Sequence, residues 1–318
     1  MRYRKMGTSN LEVSVIGHGT WPLGSDFFGD IDAQEGMKAI HQAIDLGINL
    51  IDTAPPYGED CIAEKRVGEA LQGIPRDKVI ISDKCGTFRK YGEYVRCLSP
   101  TVVRGQLEES LRNLKTDFID IYMIHWPDMN FGIDDALELL QRFKEEGKIR
   151  EAAVSNFSIG EIKTAVEKAG IICVQPPLDL LGRAGIKSGV IPFCAENQIG
   201  TMVYGSLAGG ILTGNIKEPL PVSGAELRGS FYQYYAEPMW SKVQKVLDVL
   251  REIASEHGAD VSEVAINWAL AQPGVTTALF GSTSPAHVIE NAKAADWEMT
   301  PEEAARIDAA WEANIAAS

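Results

Sequence analysis

Residues 99–124 read SPTVVRGQLEESLRNLKTDFIDIYMI. Ser99 sets a cap residue ahead of Pro100 at the first helical position, an amphipathic stretch runs over 100–115, and 118–124 is a short apolar, β-branched run. A helix feeding a buried strand is half of a parallel α/β unit, and the same alternation continues in both directions without a linker. Strands are expected near 13–18, 48–51, 78–83, 118–124, 149–154, 171–174, 200–204 and 276–280. Helices are expected over 33–46, 61–72, 100–115, 134–146, 158–169, 188–198, 239–257 and 284–295. Eight strands alternating with helices predict one α/β domain over 1–318, a (β/α)8 TIM barrel. Residues 1–12, with Gly7 and Asn10 as turn formers, are expected to form an N-terminal β-hairpin plugging the barrel bottom. Thr300-Pro301-Glu302-Glu303 carries a capping-box pattern and predicts an extra C-terminal helix over 300–315. The long connection 205–238, rich in Gly and Pro, is read as functional.

Composition bounds the function. The 318 residues hold 44 Asp and Glu against 30 Lys and Arg, a net charge of -14. That balance argues against nucleic acid and against an anionic membrane surface, because both are held by Lys and Arg. No apolar run of spanning length occurs and MRYRKMGTSN lacks a secretory pattern, so the expected location is cytoplasmic. Five cysteines without a CxxC pair indicate neither a disulfide framework nor a thiolate zinc site, and no metal is expected.

Active sites of such barrels lie at the C-terminal strand ends, so the polar residues ending each strand are the candidates. They are Asp52 with Tyr57 in the following loop, Lys84, His125, Ser155-Asn156, Gln175 and Tyr204. A nearby ammonium favours a phenolate, so Lys84 is expected to bring the Tyr57 pKa down toward neutrality and make it a usable proton donor. Asp52 would hold Lys84 charged and oriented, and His125 would donate a hydrogen bond to a substrate carbonyl. This set describes carbonyl reduction but lacks a hydride, which requires a nicotinamide cofactor. Asn156 and Gln175 suit its carboxamide, and the Tyr204 ring suits stacking on the nicotinamide plane. Of the other histidines, His18 and His41 are read as structural, as is His257 ahead of Gly258 at a helix end.

The segments GHGTW (17–21), NLIDTAPPYG (49–58), IISDKCG (80–86), DIYMIHWPD (120–128), AVSNF (153–157), VQ (174–175), YGSLAGGILTG (204–214) and GSTSPAHVIEN (281–291) together resemble the aldo-keto reductase superfamily, whose fold potassium-channel β-subunits share. The resemblance implies a catalytic tetrad of Asp52, Tyr57, Lys84 and His125, with Ser155, Asn156 and Gln175 on the carboxamide and Tyr204 beneath the ring. It extends the cofactor contacts to Gly19, Thr20, Trp21, Asp52, Gly205, Ser206, Leu207 and His287. It assigns the adenosine 2′-phosphate to Gly281, Ser282 and Thr283 before a helix N-terminus, and the adenine to Glu290 and Asn291. Thr283 and His287 stand where the family often carries Arg or Lys, and Gln or Arg. NADP(H) is therefore favoured with NAD(H) as the alternative, and Arg228 or Lys217 is a further candidate for the phosphate. Leu178 replaces a frequent tyrosine and is expected to alter packing rather than chemistry.

Substrate contacts are expected from Trp21, Phe27, Phe28, Tyr57, Phe88, His125, Trp126 and the Tyr232–Tyr235 cluster. The resulting expectation is an oxidoreductase on a small-molecule aldehyde, ketone or alcohol, possible sugars included, with a homo-oligomer left open. The competing readings are an NAD-dependent sugar or alcohol dehydrogenase, a nucleotide-sensing regulatory subunit, and a carboxylate-based barrel hydrolase or isomerase.

Overall fold

The computed structural model describes residues 1–24, 31–221 and 228–316. Phe27 and Phe28 lie outside the described residues. The strands, in chain order, are β1 Tyr3–Lys5, β2 Glu12–Ser14, β3 Ile16–Gly19, β4 Leu50–Asp52, β5 Ile80–Cys85, β6 Thr87–Lys90, β7 Glu93–Arg96, β8 Ile119–Ile124, β9 Ile149–Ser155, β10 Cys173–Gln175, β11 Gly200–Val203 and β12 Thr277–Gly281. Eight of them close a barrel in the order β10-β11-β12-β3-β4-β5-β8-β9, every pairing parallel. The expected (β/α)8 fold is thus observed.

The period-two alternation of a strand sorts each residue inward or outward. In β5, Ile80 packs in the barrel interior, Ile81 packs outward, and Ser82 turns in to reach Asp52. The same parity sends Lys84 inward and Cys85 into the outer core. The lower interior is filled by Leu50, Ile121, Met123, Ala153, Met202 and Leu279, which leaves the polar inward residues at the top.

The plug is formed as expected, with a shifted boundary. The stretch 13–18 is two strands rather than one: β2 pairs antiparallel with β1, and only Ile16–Gly19 joins the barrel. Met6 is fully buried and packs with Val13 on the interior cluster, closing the floor.

Helices occupy the expected places, and the capping box at Thr300 forms, its side chain accepting from the Glu303 amide. Ser99 and Ser284 are N-caps ahead of prolines, but neither side chain makes a cap hydrogen bond. The expected elements lack short helices such as Trp21–Gly24 and Ala184–Lys187, one long helix and one hairpin. Helix Val261–Ala271 is apolar nearly all round because it is buried on every side, so it shows no amphipathic period. The β6–β7 hairpin is short and mostly exposed, and its residues lack strict alternation. No helix among the described residues is long and apolar enough to cross a membrane.

Candidate active site

The strand ends converge on the barrel mouth. Asp52 and Ser82 are register partners on adjacent strands, as are Ser155 and Gln175. Lys84 is fully buried, and its Nζ donates to Asp52 Oδ2 at 2.7 Å, the Thr53 carbonyl at 2.8 Å and Tyr57 Oη at 3.2 Å. Asp52 Oδ1 accepts from Ser82 Oγ at 2.9 Å and from Gln175 Nε2 at 2.8 Å. Every oxygen of this buried carboxylate is therefore occupied, which a charge removed from water requires. Ser82 was missed in the sequence, although strand parity two residues before Lys84 points to it.

Tyr57 sits in a loop rather than on a strand, and two glycines put it there. Gly58 has φ +90°, and a Cβ on it would lie 2.1 Å from the Gly24 carbonyl oxygen. A Cβ on Gly24 would lie 1.8 Å from the Tyr57 carbonyl oxygen. Only paired glycines let the loop press against the short helix Trp21–Gly24 and aim the phenol at Lys84.

The expected lowering of the Tyr57 pKa is overturned. Burial pushes the phenol well above its ordinary value, and the Asp52 and Asp83 carboxylates push the same way. Desolvation of the phenolate outweighs the ammonium, whose charge is already claimed by Asp52. Tyr57 is thus a neutral donor at physiological pH. Burial likewise drives the His125 imidazole well below its usual value, helped by the positive charges of Lys84 and Arg96. The ring is neutral and T-shaped to Tyr57, with centroids 6.1 Å apart.

The residues expected around the nicotinamide are linked to one another. Tyr204 Oη donates to Asn156 Oδ1 at 2.8 Å, and Asn156 Nδ2 donates to the His125 carbonyl at 3.0 Å and to Ser155 Oγ at 2.9 Å. Ser155 Oγ in turn donates to the Gln175 carbonyl at 2.9 Å. Asn156 has φ +62°, a left-handed conformation that its short amide tolerates at a strand end. Thr20 is buried and its hydroxyl donates to the Asp52 carbonyl, tying the loop after β3 to the end of β4. Gly19 and Gly281 are register partners at the ends of β3 and β12.

A phosphate-bearing dinucleotide fits two features of this face. Ser206 Oγ is buried without a hydrogen-bond partner among the described residues, beside Gly205, whose φ of +80° leaves open space where a Cβ would stand. The helix Pro285–Ala292 begins with Ser282 bonded to Ser284 and without a side-chain cap bond, so its first amides remain available to an anion. Leu207 packs on the core, Glu290 is half-buried, Asn291 is buried, His287 is exposed and Thr283 is partly exposed. Arg228 donates to the Gly209 carbonyl and Lys217 to the Gly214 carbonyl, so both brace the turn at 208–214. Leu178 is buried in the core, and its amide donates to the Tyr204 carbonyl.

Of the expected substrate contacts, Trp21 lies 6.4 Å from Tyr57 and Trp126 lies 6.5 Å from His125, ring to ring. Tyr232 contacts Phe231 and Tyr235, and Phe231 in turn lies 6.5 Å from Trp21. Phe88 faces elsewhere. It lines a cavity of about 260 Å³ behind the Tyr57 loop, with Gly58, Cys61, Glu64 and Gln106. His18 is buried against Phe280, His41 bonds the Ala70 carbonyl, and His257 pairs with Glu303 while stacked on Trp297, all structural positions.

The chain compares closely with known proteins. The Aldo/keto reductase family model matches residues 15–312. Aldo-keto reductase YhdN of Bacillus subtilis is 33% identical over 305 residues, covering 95% of this chain and 91% of the relative. An NADH-specific methylglyoxal reductase of Escherichia coli is 32% identical, covering 92% and 93%. The solved structure of the glycerol dehydrogenase AKR11B4 from Gluconobacter oxydans superposes with a TM-score of 0.90 at 32% identity, covering 98% of this chain and 96% of that one. With its eight-stranded barrel and these relatives, the chain belongs to the aldo/keto reductase family and is an oxidoreductase.

Proposed function

We propose that residues 1–318 form one domain that interconverts an aldehyde or ketone, sugars included, with its alcohol, using NADP(H) and the Tyr57 proton. The observation that carries this reading is the buried chain Asp52–Lys84–Tyr57 beside a neutral His125 at the barrel mouth. The nicotinamide, when bound, supplies or accepts the hydride at the carbonyl carbon.

Tyr57 donates its proton to the carbonyl oxygen in reduction and takes it back in oxidation. Lys84 Nζ, within 3.2 Å of the phenol oxygen, stabilises the negative charge that grows there as the proton leaves. Asp52 keeps Nζ in place, while Ser82 and Gln175 keep Asp52 in place. The neutral His125 directs an N–H at the same carbonyl oxygen and fixes its angle. Ser155, Asn156 and Gln175 would hold the carboxamide, and Tyr204 the ring face. Gly205 to Leu207 and Gly281 to Thr283 would hold the phosphates, and Glu290 and Asn291 the adenine.

A second reading, an NAD-dependent alcohol or sugar dehydrogenase, is favoured by one observation. Thr283 and His287 carry no fixed positive charge, and Arg228 and Lys217 already serve the 208–214 turn. Paired titrations with NADPH and NADH, followed by tryptophan quenching, separate the two. Tight NADPH binding and turnover of an aldehyde panel support the main reading. NADH preference with alcohol oxidation supports the second, and binding of neither to the folded protein refutes both.

A further inference from the structure

Rings line the mouth in an unbroken series. Phe231 meets Trp21 at 6.5 Å, Trp21 meets Tyr57 at 6.4 Å, Tyr57 meets His125 at 6.1 Å, and His125 meets Trp126 at 6.5 Å. The series ends on a cation: the Arg96 guanidinium lies 4.3 Å from the Trp126 ring centroid. Arg96 closes the base of the β6–β7 hairpin opposite Thr87 and is exposed. Its charge is felt at His125, where it disfavours the imidazolium.

Arg96 differs from most of its kind in this acidic chain. Arg76 and Arg150 pair with Asp120, Arg89 with Glu59, Arg104 with Glu146, and Arg183 with Asp308. No carboxylate among the described residues lies within ion-pair distance of Arg96. A guanidinium has five N–H donors in a fork that matches carboxylate or phosphate oxygens, and contact with one ring face does not exhaust them. Trp126 also fixes the side chain beforehand, which reduces the ordering cost of binding.

We propose that Arg96 is a specificity-determining residue that binds an anionic group of the substrate, so that the preferred carbonyl compound carries a carboxylate or phosphate at the end remote from its carbonyl. The carbonyl then lies between Tyr57 and His125, the body against Trp126, and the anion on Arg96. This rests on the reductase reading above and adds the substrate class to it.

The test compares 4-carboxybenzaldehyde with its methyl ester, which share carbonyl and ring and differ in charge, in wild type, Arg96→Ala, Arg96→Gln and Arg96→Lys. The expected result is a carboxylate-to-ester ratio of kcat/KM that falls at least tenfold in Arg96→Ala and Arg96→Gln, mainly through KM, and survives in Arg96→Lys. A remote group held equally in ground and transition states acts on KM. The wild-type ratio should also shrink as salt rises from 20 to 300 mM. An unchanged ratio in Arg96→Ala overturns the proposal, and so does an equal loss on both aldehydes, which marks a purely structural stack. Quenching titrations of the same pair read the Arg96 contribution without turnover. If neither aldehyde is reduced, tighter binding of the carboxylate only in chains retaining a cation at 96 still supports the subsite, and equal binding sinks it.

Discussion

Replacing Tyr57 by Phe removes one oxygen from a site whose remaining bonds are counted. Lys84 Nζ loses the 3.2 Å contact but keeps Asp52 at 2.7 Å and the Thr53 carbonyl at 2.8 Å. The stability cost is therefore that of one hydrogen bond, about 0.5–1.5 kcal/mol. With an unfolding entropy of about 2.1 cal/mol/K per residue, this chain length turns that cost into a Tm drop of about 1–2 °C. Turnover should fall by about 10²- to 10⁴-fold, because no other neutral donor contacts Lys84. Lys84→Met is the contrasting variant. It strips the buried Asp52 of its cation, costs about 3–5 kcal/mol, and lowers Tm by roughly 4–8 °C. Burial holds the phenol protonated well past its ordinary range, so the wild-type reductive kcat should stay flat through pH 9. The assay is reductive kcat and kcat/KM at saturating cofactor, with a cofactor quenching titration and a thermal melt of each variant. Turnover in Tyr57→Phe within threefold of wild type would refute the acid role, and a kcat falling between pH 7 and 8 would refute the burial argument.

Asn156→Ala should destabilise by about 1–3 kcal/mol and weaken cofactor binding, since three hydrogen bonds go and Ala is strained at φ +62°. Asn156→Gly, relieved of that strain, should melt higher than the Ala variant yet bind cofactor as poorly; equal melting points count against backbone strain. Burial lowers the His18 pKa to about 4 against an unfolded value near 6.5. The unfolded chain binds the proton first, so stability is present above pH 6.5 and is lost as pH falls toward 4, by about 3 kcal/mol. Urea midpoints across that window in wild type and His18→Leu check this, and an unchanged slope in the variant would exclude His18 as the source. Met6→Ala opens a hole in the barrel floor and should cost about 2–5 kcal/mol while leaving kcat alone. A changed kcat in that variant would show that floor and mouth are coupled.

The eight strands and most helices were legible because each carries its own period and its own start signal, as Ser99-Pro100 and Thr300 do. The strand-end rule then pointed at Asp52, Lys84, His125, Ser155, Gln175 and Tyr204 without coordinates, since position on a strand depends on local pattern alone. Helix Val261–Ala271 escaped because complete burial erases the period that reading depends on. Tertiary structure alone decided what those groups do to one another. Whether Lys84 or desolvation governs Tyr57 depends on how deeply the loop is sealed by Gly24 and Gly58, a packing fact that no local spacing encodes. The bonds of Ser82 and Gln175 to one carboxylate oxygen, and the seat of Arg96 on Trp126, join strands and loops far apart in the chain. Such contacts follow from barrel closure and register, which exist only once the whole sheet has formed.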